Sequence, residues 1–311
     1  MQIFHSFQEI TDCCGAVVAL GTFDGVHLGH QMVMKTAMEK AAQKGVKAMV
    51  VTFGAHPFSV LCPDKEPARL ATVEQKEEYI AAVGIDGLVL LPMTKHLLKE
   101  SPESFCRQLL QYIHPSAVVV GSNFTYGAKA AGNTETLKQF MAAYHIPVLA
   151  LTLLERPGRA TPISSTVIRR LVQMGHMETA ENLLGRPFAL TGEVVQGDHR
   201  GRTIGFPTAN MLIPVKMAVP ADGVYITELV WDGICHPGMT NIGSNPTFAN
   251  QYRRIETHVL DCHDDLYGKN VSLRFRKRIR GEKVFASAAE LIEQMKQDEA
   301  QARKFFLNAN D

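Results

Sequence analysis

The sequence predicts an α/β domain on a doubly wound parallel sheet, followed by a small antiparallel β-barrel with a helical tail. Three observations predict it. In the first half, apolar runs at residues 16–20, 48–53, 87–91, 117–120 and 147–151 alternate with helical periodicity. Strands that read as unbroken apolar runs are covered on both faces, as in parallel sheets. Beyond Gly185-Arg186-Pro187 the texture changes to short β segments separated by Gly, Pro, Asn and Asp, the pattern of a small barrel or sandwich. A chain of 311 residues also exceeds the usual length of one domain. The expected domains are therefore 1–184 and 185–311.

The elements follow in order. A strand at 16–20 runs through a glycine turn into a helix near 28–43. Helices near 73–83, 102–113 and 134–144 separate the remaining apolar runs. Right-handed crossovers between such strands put helices on both faces and ligands at the strands' C-terminal ends. His27, His56, Asn123 and Ser164 each fall just past a strand end or at a helix start, so four polar groups converge on one rim. Helices at 168–174 and 177–184 close the first half. Strands are expected at 188–195, 224–231, 234–240, 255–261 and 271–275. A final helix carries apolar positions at Leu291, Ile292, Met295, Phe305, Phe306 and Leu307.

Composition excludes several classes. The net charge of +1 provides no field for nucleic acid or an anionic membrane. The basic run Arg274-Phe275-Arg276-Lys277-Arg278-Ile279-Arg280 alternates, and reads as a strand with one solvated face. Six cysteines without a CxxC pair suggest neither a disulfide framework nor a zinc site. No signal peptide and no run of about 18 apolar residues is legible, so a cytoplasmic protein is expected.

Three motifs carry chemistry. Gly21-Thr22-Phe23-Asp24-Gly25-Val26-His27-Leu28-Gly29-His30 is a strand exit, a glycine turn and a helix start. Helix N-termini attract phosphate, and imidazoles there can neutralise charge that develops during phosphoryl transfer. Ser164-Ser165-Thr166 precede a helical turn bearing Arg169, whose fork suits phosphate oxygens. The same hydroxyls also serve simply as caps. The segment from Gly197 through Gly201 and Gly205 to Pro207-Thr208-Ala209-Asn210 permits close backbone approach to phosphates. Thr208 and Asn210, two apart in an extended segment, face one side and could hold Mg²⁺ with a phosphate oxygen. Downstream, Glu256 and His258 share one face of a strand, and Glu256 is a candidate general base for a hydroxyl.

Together these segments resemble the bacterial bifunctional riboflavin kinase/FAD synthetase family over nearly the full length. The first half is similar to its adenylyltransferase module through residues 21–30, Thr52-Phe53 with His56-Pro57, residues 120–127, and residues 163–169. The second is similar to its kinase module through residues 201–210, Gly223-Val224-Tyr225, residues 241–248, and Glu256-Thr257-His258. The resemblance implies two ATP-dependent steps with Mg²⁺: riboflavin to FMN with ADP released, then FMN to FAD with pyrophosphate released. It implies Glu256 as the base, Thr208 and Asn210 as metal ligands, and Gly197, Arg202, Gly205 and Pro207 around the phosphates. In the first half it implies His27 and His30 as transition-state stabilisers. Gly21, Phe23, Asn123, Ser164, Ser165, Thr166 and Arg169 would bind nucleotide or phosphate, with His56, Pro57, Asn123 and Tyr126 on the flavin.

No nucleic acid or membrane partner is implied, and the chain is expected to be a monomer or weak homo-oligomer. Gly54-Ala55 stand where many relatives have Asp-Pro, Asn123 where many have Asp, and Ala130-Ala131 where many have an arginine. An alternative reading is therefore a riboflavin kinase with a weak or inactive first domain. A flavin carrier would need no base, and a nucleotidylyltransferase of another specificity would leave the second half unexplained.

Overall fold

The computed structural model describes residues 1–197, 205–244, 253–262 and 264–308. By its contacts the chain divides into two compact units, Met1–Ser165 and Thr166–Asp311.

In the first unit the elements run β1 (Gln2–Phe4), β2 (Val17–Leu20), α1 (Leu28–Lys44), β3 (Ala48–Phe53), α2 (Phe58–Leu61), α3 (Val73–Val83), β4 (Gly87–Leu91), α4 (Pro102–Tyr112), β5 (Ala117–Gly121), β6 (Thr125–Tyr126), β7 (Gly132–Asn133), α5 (Thr134–Ala142), β8 (Val148–Leu151), β9 (Glu155–Arg156) and β10 (Arg159–Pro162). Six strands form one parallel sheet in the order β1-β4-β3-β2-β5-β8. All five expected strands are present. The short edge strand β1 and the small hairpins β6–β7 and β9–β10 are additions.

The order reverses beside β2, which lies between β3 and β5. In open α/β sheets this reversal opens a crevice at the strands' C-terminal ends. Both faces of the sheet are covered. On one, Val33, Met34, Ala37 and Ala41 of α1 pack on Val17, Ala19 and Val50. On the other, Phe105 and Leu109 of α4 and Leu137 and Met141 of α5 pack on Val18, Met49 and Val118. Burying such a side chain contributes about 1.5–3 kcal/mol.

Local signals set the helix ends. Thr72 and Gln75 form a capping box that starts α3, and Gly84 ends it in the left-handed region at φ 104°.

In the second unit, α6 (Ser165–Gln173) and α7 (Met177–Leu184) precede the strands β11 (Phe188–Val195), β12 (Ala209–Leu212), β13 (Gly223–Trp231), β14 (Ile234–Ser244), β15 (Arg253–Val259) and β16 (Asn270–Arg280). These six close a barrel in the order β11-β12-β15-β14-β13-β16. The tail helix α8 (Ala288–Asn308) lays Ala302, Phe305 and Phe306 against Ile226, Ile279 and Leu260.

Of the tail's apolar positions, Leu307 is 70% exposed, because the apolar seam of α8 ends at Phe306. The basic run is a strand, but its arginines are not simply solvated. Arg276 pairs with Glu228 and Glu181, and Arg278 donates to the Asp222 carbonyl. Arg280 forks onto Asp298.

Candidate active sites

In the first unit, the exit of β2 is bent tightly. Phe23 (φ 47°), Gly25 (φ 74°) and Val26 (φ 42°) all occupy the left-handed region. That conformation costs a β-branched residue about 1–2 kcal/mol, so the surrounding structure must hold it in place. Gly21 is required sterically, since a Cβ there would lie 2.7 Å from the Phe23 ring. The Asp24 carboxylate accepts from Leu70 N–H at 3.2 Å, and the Asp24 carbonyl accepts from Ser165 Oγ at 2.9 Å.

The bent loop delivers His27 as the N-cap of α1, its Nδ1 accepting from His30 N–H at 3.3 Å. The two imidazoles stack at 3.5 Å between centroids, and Phe23 meets His30 edge-on at 5.3 Å. His27 is 4% exposed. Burial, then His27, then Lys76 hold His30 well below the usual imidazole range, so it is neutral at pH 7.

Among the described residues His30 Nδ1 has no hydrogen-bond partner. Two stacked imidazoles at a helix N-terminus, one of them kept neutral by its burial, are suited to donating to an anion.

Lys76 of α3 lies beneath the same rim, 7% exposed, and sequence reading missed it. Its Nζ donates to the carbonyls of Phe53 (2.8 Å) and Thr22 (3.2 Å). Burial pushes its pKa down to about 8, with Asp24 opposing and Arg69 assisting. Lys76 lines a small cleft with Thr22, Asp24, His56 and Arg69. His56 accepts from Phe58 N–H at 3.1 Å, and Pro57 caps α2.

Asn123 is exposed just past β5. Ser164 precedes α6 and Ser165 begins it. Thr166 and Arg169 continue that helix in the second unit, with Arg169 Nη1 3.4 Å from Thr166 Oγ1. Tyr126 of β6 is mostly buried. It is 8% exposed in the aromatic cluster with Phe105 and Phe124, and its hydroxyl contacts Cys106 Sγ and Thr136 Oγ1. Burial pushes its phenol up to about 12.

In the second unit, cross-strand register builds the site. Asn210 of β12 lies opposite Glu256 of β15, and Glu256 lies opposite Asn241 of β14. Directly opposed residues share a face, so these three form one row. The opposite face carries a buried hydroxyl chain, Thr227–Thr240–Thr257, with both steps 2.8 Å.

Glu256 is partly exposed, with Arg254 Nη1 3.7 Å away. His258 Nδ1 lies 2.8 Å from the Pro207 carbonyl, and its ring meets Phe206 edge-on. This clip seats the Pro207–Asn210 segment against β15. A Cβ at Gly197 would fall on the Asn210 amide. Gly205 (φ 86°) takes the left-handed turn before Phe206. Thr208 and Asn210 line a pocket of about 280 Å³ with Pro207, Asp264, Asp265 and Tyr267. Arg202 lies outside the described residues, as do Gly201 and residues 245–248.

Among the described residues no cluster of three His, Cys, Asp or Glu could hold a metal. The donors here are instead a hydroxyl and an amide beside the Gly197 cradle. That sparse oxygen set fits Mg²⁺, which takes few protein ligands and completes its shell with water and phosphate. No helix among the described residues is long and apolar enough to cross a membrane.

Comparison with known proteins adds the following. Residues 184–306 match the family model described as riboflavin kinase, and residues 9–167 match that of FAD synthetase. Curated proteins named bifunctional riboflavin kinase/FMN adenylyltransferase are similar over almost the whole chain. The one from Listeria monocytogenes is 38% identical, covering 98% of this chain and 96% of its own. That from Escherichia coli K12 is 36% identical, covering 94% and 93%. A solved structure from Streptococcus pneumoniae, described as a macrolide-efflux protein, aligns with a TM-score of 0.88 and 30% identity over 97% of this chain and 98% of its own.

Proposed function

The chain belongs to the bifunctional riboflavin kinase/FMN adenylyltransferase family, and on that premise we propose how its residues divide two reactions between two units. The protein phosphorylates riboflavin to FMN with ATP, then adenylylates FMN with a second ATP to give FAD and pyrophosphate. One observation supports the division. The groups proposed to act on the reacting atoms fall in separate units, His27 and His30 in Met1–Ser165, Glu256 and Asn210 in Thr166–Asp311.

In the barrel, Glu256 takes the proton from the riboflavin 5′-hydroxyl as that oxygen attacks the γ-phosphorus and ADP leaves. A partly exposed carboxylate can be reached by the hydroxyl. Thr208 and Asn210 would hold Mg²⁺, which when bound would neutralise phosphate charge. Gly197 gives Asn210 its room, and His258 holds the segment through the Pro207 carbonyl. Transfer of this kind depends mainly on positioning and charge stabilisation.

In the sheet unit, an FMN phosphate oxygen attacks the α-phosphorus of ATP and pyrophosphate leaves. His27 and His30 stabilise the charge that builds on the oxygens around that phosphorus. Gly21 and Phe23 shape the turn beneath them, with His56, Pro57 and Asn123 on the flavin side.

The test is product analysis by liquid chromatography, incubating the protein with Mg²⁺ and ATP plus either riboflavin or FMN. FAD is expected from both. FMN accumulating from riboflavin, with supplied FMN inert, would refute the adenylylation assignment.

A further inference from the structure

We propose that Lys76 is a positioning residue for adenylyl transfer: its ammonium ties the exit of β2, which carries His27 and His30, to the exit of β3, which carries His56. The inference rests on the assignment of adenylyl transfer to the His27–His30 rim.

The geometry is specific. Thr22 is the second residue past β2, and Phe53 is the last residue of β3. Lys76 Nζ donates to both carbonyls, and Thr52 Oγ1 donates a second bond to the Thr22 carbonyl at 3.0 Å. The Thr22 carbonyl belongs to the peptide that leads into Phe23. Phe23 is held at φ 47° and packs edge-on against His30. Rotation of that peptide would therefore move the ring against which His30 rests. From Phe53 the chain runs through Gly54-Ala55 to His56, so the second bond fixes the opposite wall of the cleft.

Lysine is a costly choice if filling space were the only need. A buried ammonium loses its hydration and an apolar side chain of similar volume does not. The charged groups around it are Asp24 and Arg69, and it is among the charges that keep His30 neutral. A residue that both fixes the loop and biases His30 acts on the rim twice without touching a reacting atom.

The experiment compares Lys76→Met, Lys76→Gln and His27→Ala in the full-length protein. Riboflavin phosphorylation serves as the internal control for folding. For Lys76→Met, kcat of FMN adenylylation is expected to fall at least about tenfold. KM for ATP and FMN should stay within about threefold, and His30 should titrate at higher pH by imidazole NMR. Lys76→Gln keeps two N–H donors and loses the charge. Its kcat is expected within about threefold of the native value, with His30 still titrating higher.

A native kcat in Lys76→Met overturns the proposal. So does a Lys76→Gln kcat as low as that of Lys76→Met. Where Lys76→Met fails to fold, Lys76→Gln decides by the same criteria. If His27→Ala retains full FAD synthesis, the rim assignment itself fails, which is a different outcome from the failure of Lys76 alone.

Discussion

The imidazoles of His27 and His30 stack at 3.5 Å and 19° while His27 Nδ1 accepts the His30 backbone N–H. One side chain thus caps the helix and, with Nδ1 committed as acceptor, carries its neutral-form proton on Nε2. His27→Ser and His27→Ala separate the two roles. Both remove the ring and are expected to lower FMN adenylylation by roughly 10²–10³-fold. Only the alanine variant also removes a cap, at a cost of about 1 kcal/mol. FAD formation and thermal melts of the two variants check this. Equal melting temperatures would show that the cap contributes nothing.

Glu256→Gln preserves the shape of the side chain and removes the base. Riboflavin phosphorylation is expected to fall by roughly 10²–10⁴-fold. Adenylylation of supplied FMN should be unchanged, because His27 and His30 lie in the other unit. Loss of both activities with FMN supplied would overturn the assignment of two independent sites.

Gly197 and Gly205 predict opposite consequences for the same substitution. A Cβ at Gly197 would fall on the Asn210 amide, whereas among the described residues nothing lies within 4 Å of one at Gly205. Gly197→Ala must displace a proposed Mg²⁺ ligand, and riboflavin kinase activity is expected to fall at least about tenfold. Gly205→Ala meets backbone strain at φ 86°, about 1 kcal/mol, and should mainly lower stability. Steady-state kinetics beside melting curves distinguish the two.

Much of this arrangement was legible because its signals are local. The apolar runs marked five of the six parallel strands, and the glycine turn with two histidines marked the rim. The remainder depends on long-range packing. β1 has three residues and is held by β4, too short to show a period. β12 follows Pro207, where a proline obscures strand pairing. Lys76 sits in Val73-Glu74-Gln75-Lys76-Glu77-Glu78, which reads as a solvated polar face, and only the loops folded over it bury the ammonium. The resemblance implies Tyr126 on the flavin, and the structure adds that its ring stacks on Phe124 and tilts against Phe105. A single sequence does not show which aromatic faces inward.

Arg280 and Asp298 make the seam between barrel and tail helix electrostatic as well as apolar. Asp298 is 1% exposed and accepts the Arg280 guanidinium at 2.8 and 3.0 Å, with Gln294 Nε2 at 3.1 Å. Asp298→Ala leaves the Arg280 guanidinium, a fifth exposed, without its carboxylate, and is expected to cost about 1–3 kcal/mol. The apolar contacts of Ala302, Phe305 and Phe306 remain. Urea unfolding followed by the fluorescence of Trp231, which lies on β13 of the barrel, measures the loss.

Lys76 also predicts how stability depends on pH, and the sign is unusual for a lysine. Burial pushes it down to about 8, whereas in the unfolded chain it titrates near 10.5. Below pH 8 both states carry the proton, and the folded state bears the full cost of the buried charge. Between pH 8 and 10.5 the unfolded chain binds more protons than the folded one, so this group makes stability rise with pH. Above 10.5 both are neutral and the cost is gone. A displacement of that size corresponds to about 3 kcal/mol. Lys76→Met lacks the titration. The difference in unfolding free energy, native minus variant, should therefore move in favour of the native protein as pH is raised from 7.5 to 10. Global alkaline effects common to both proteins cancel in that difference. Denaturant unfolding at several pH values measures it, and a flat difference across this window would mean that Lys76 titrates in the folded protein as it does in water.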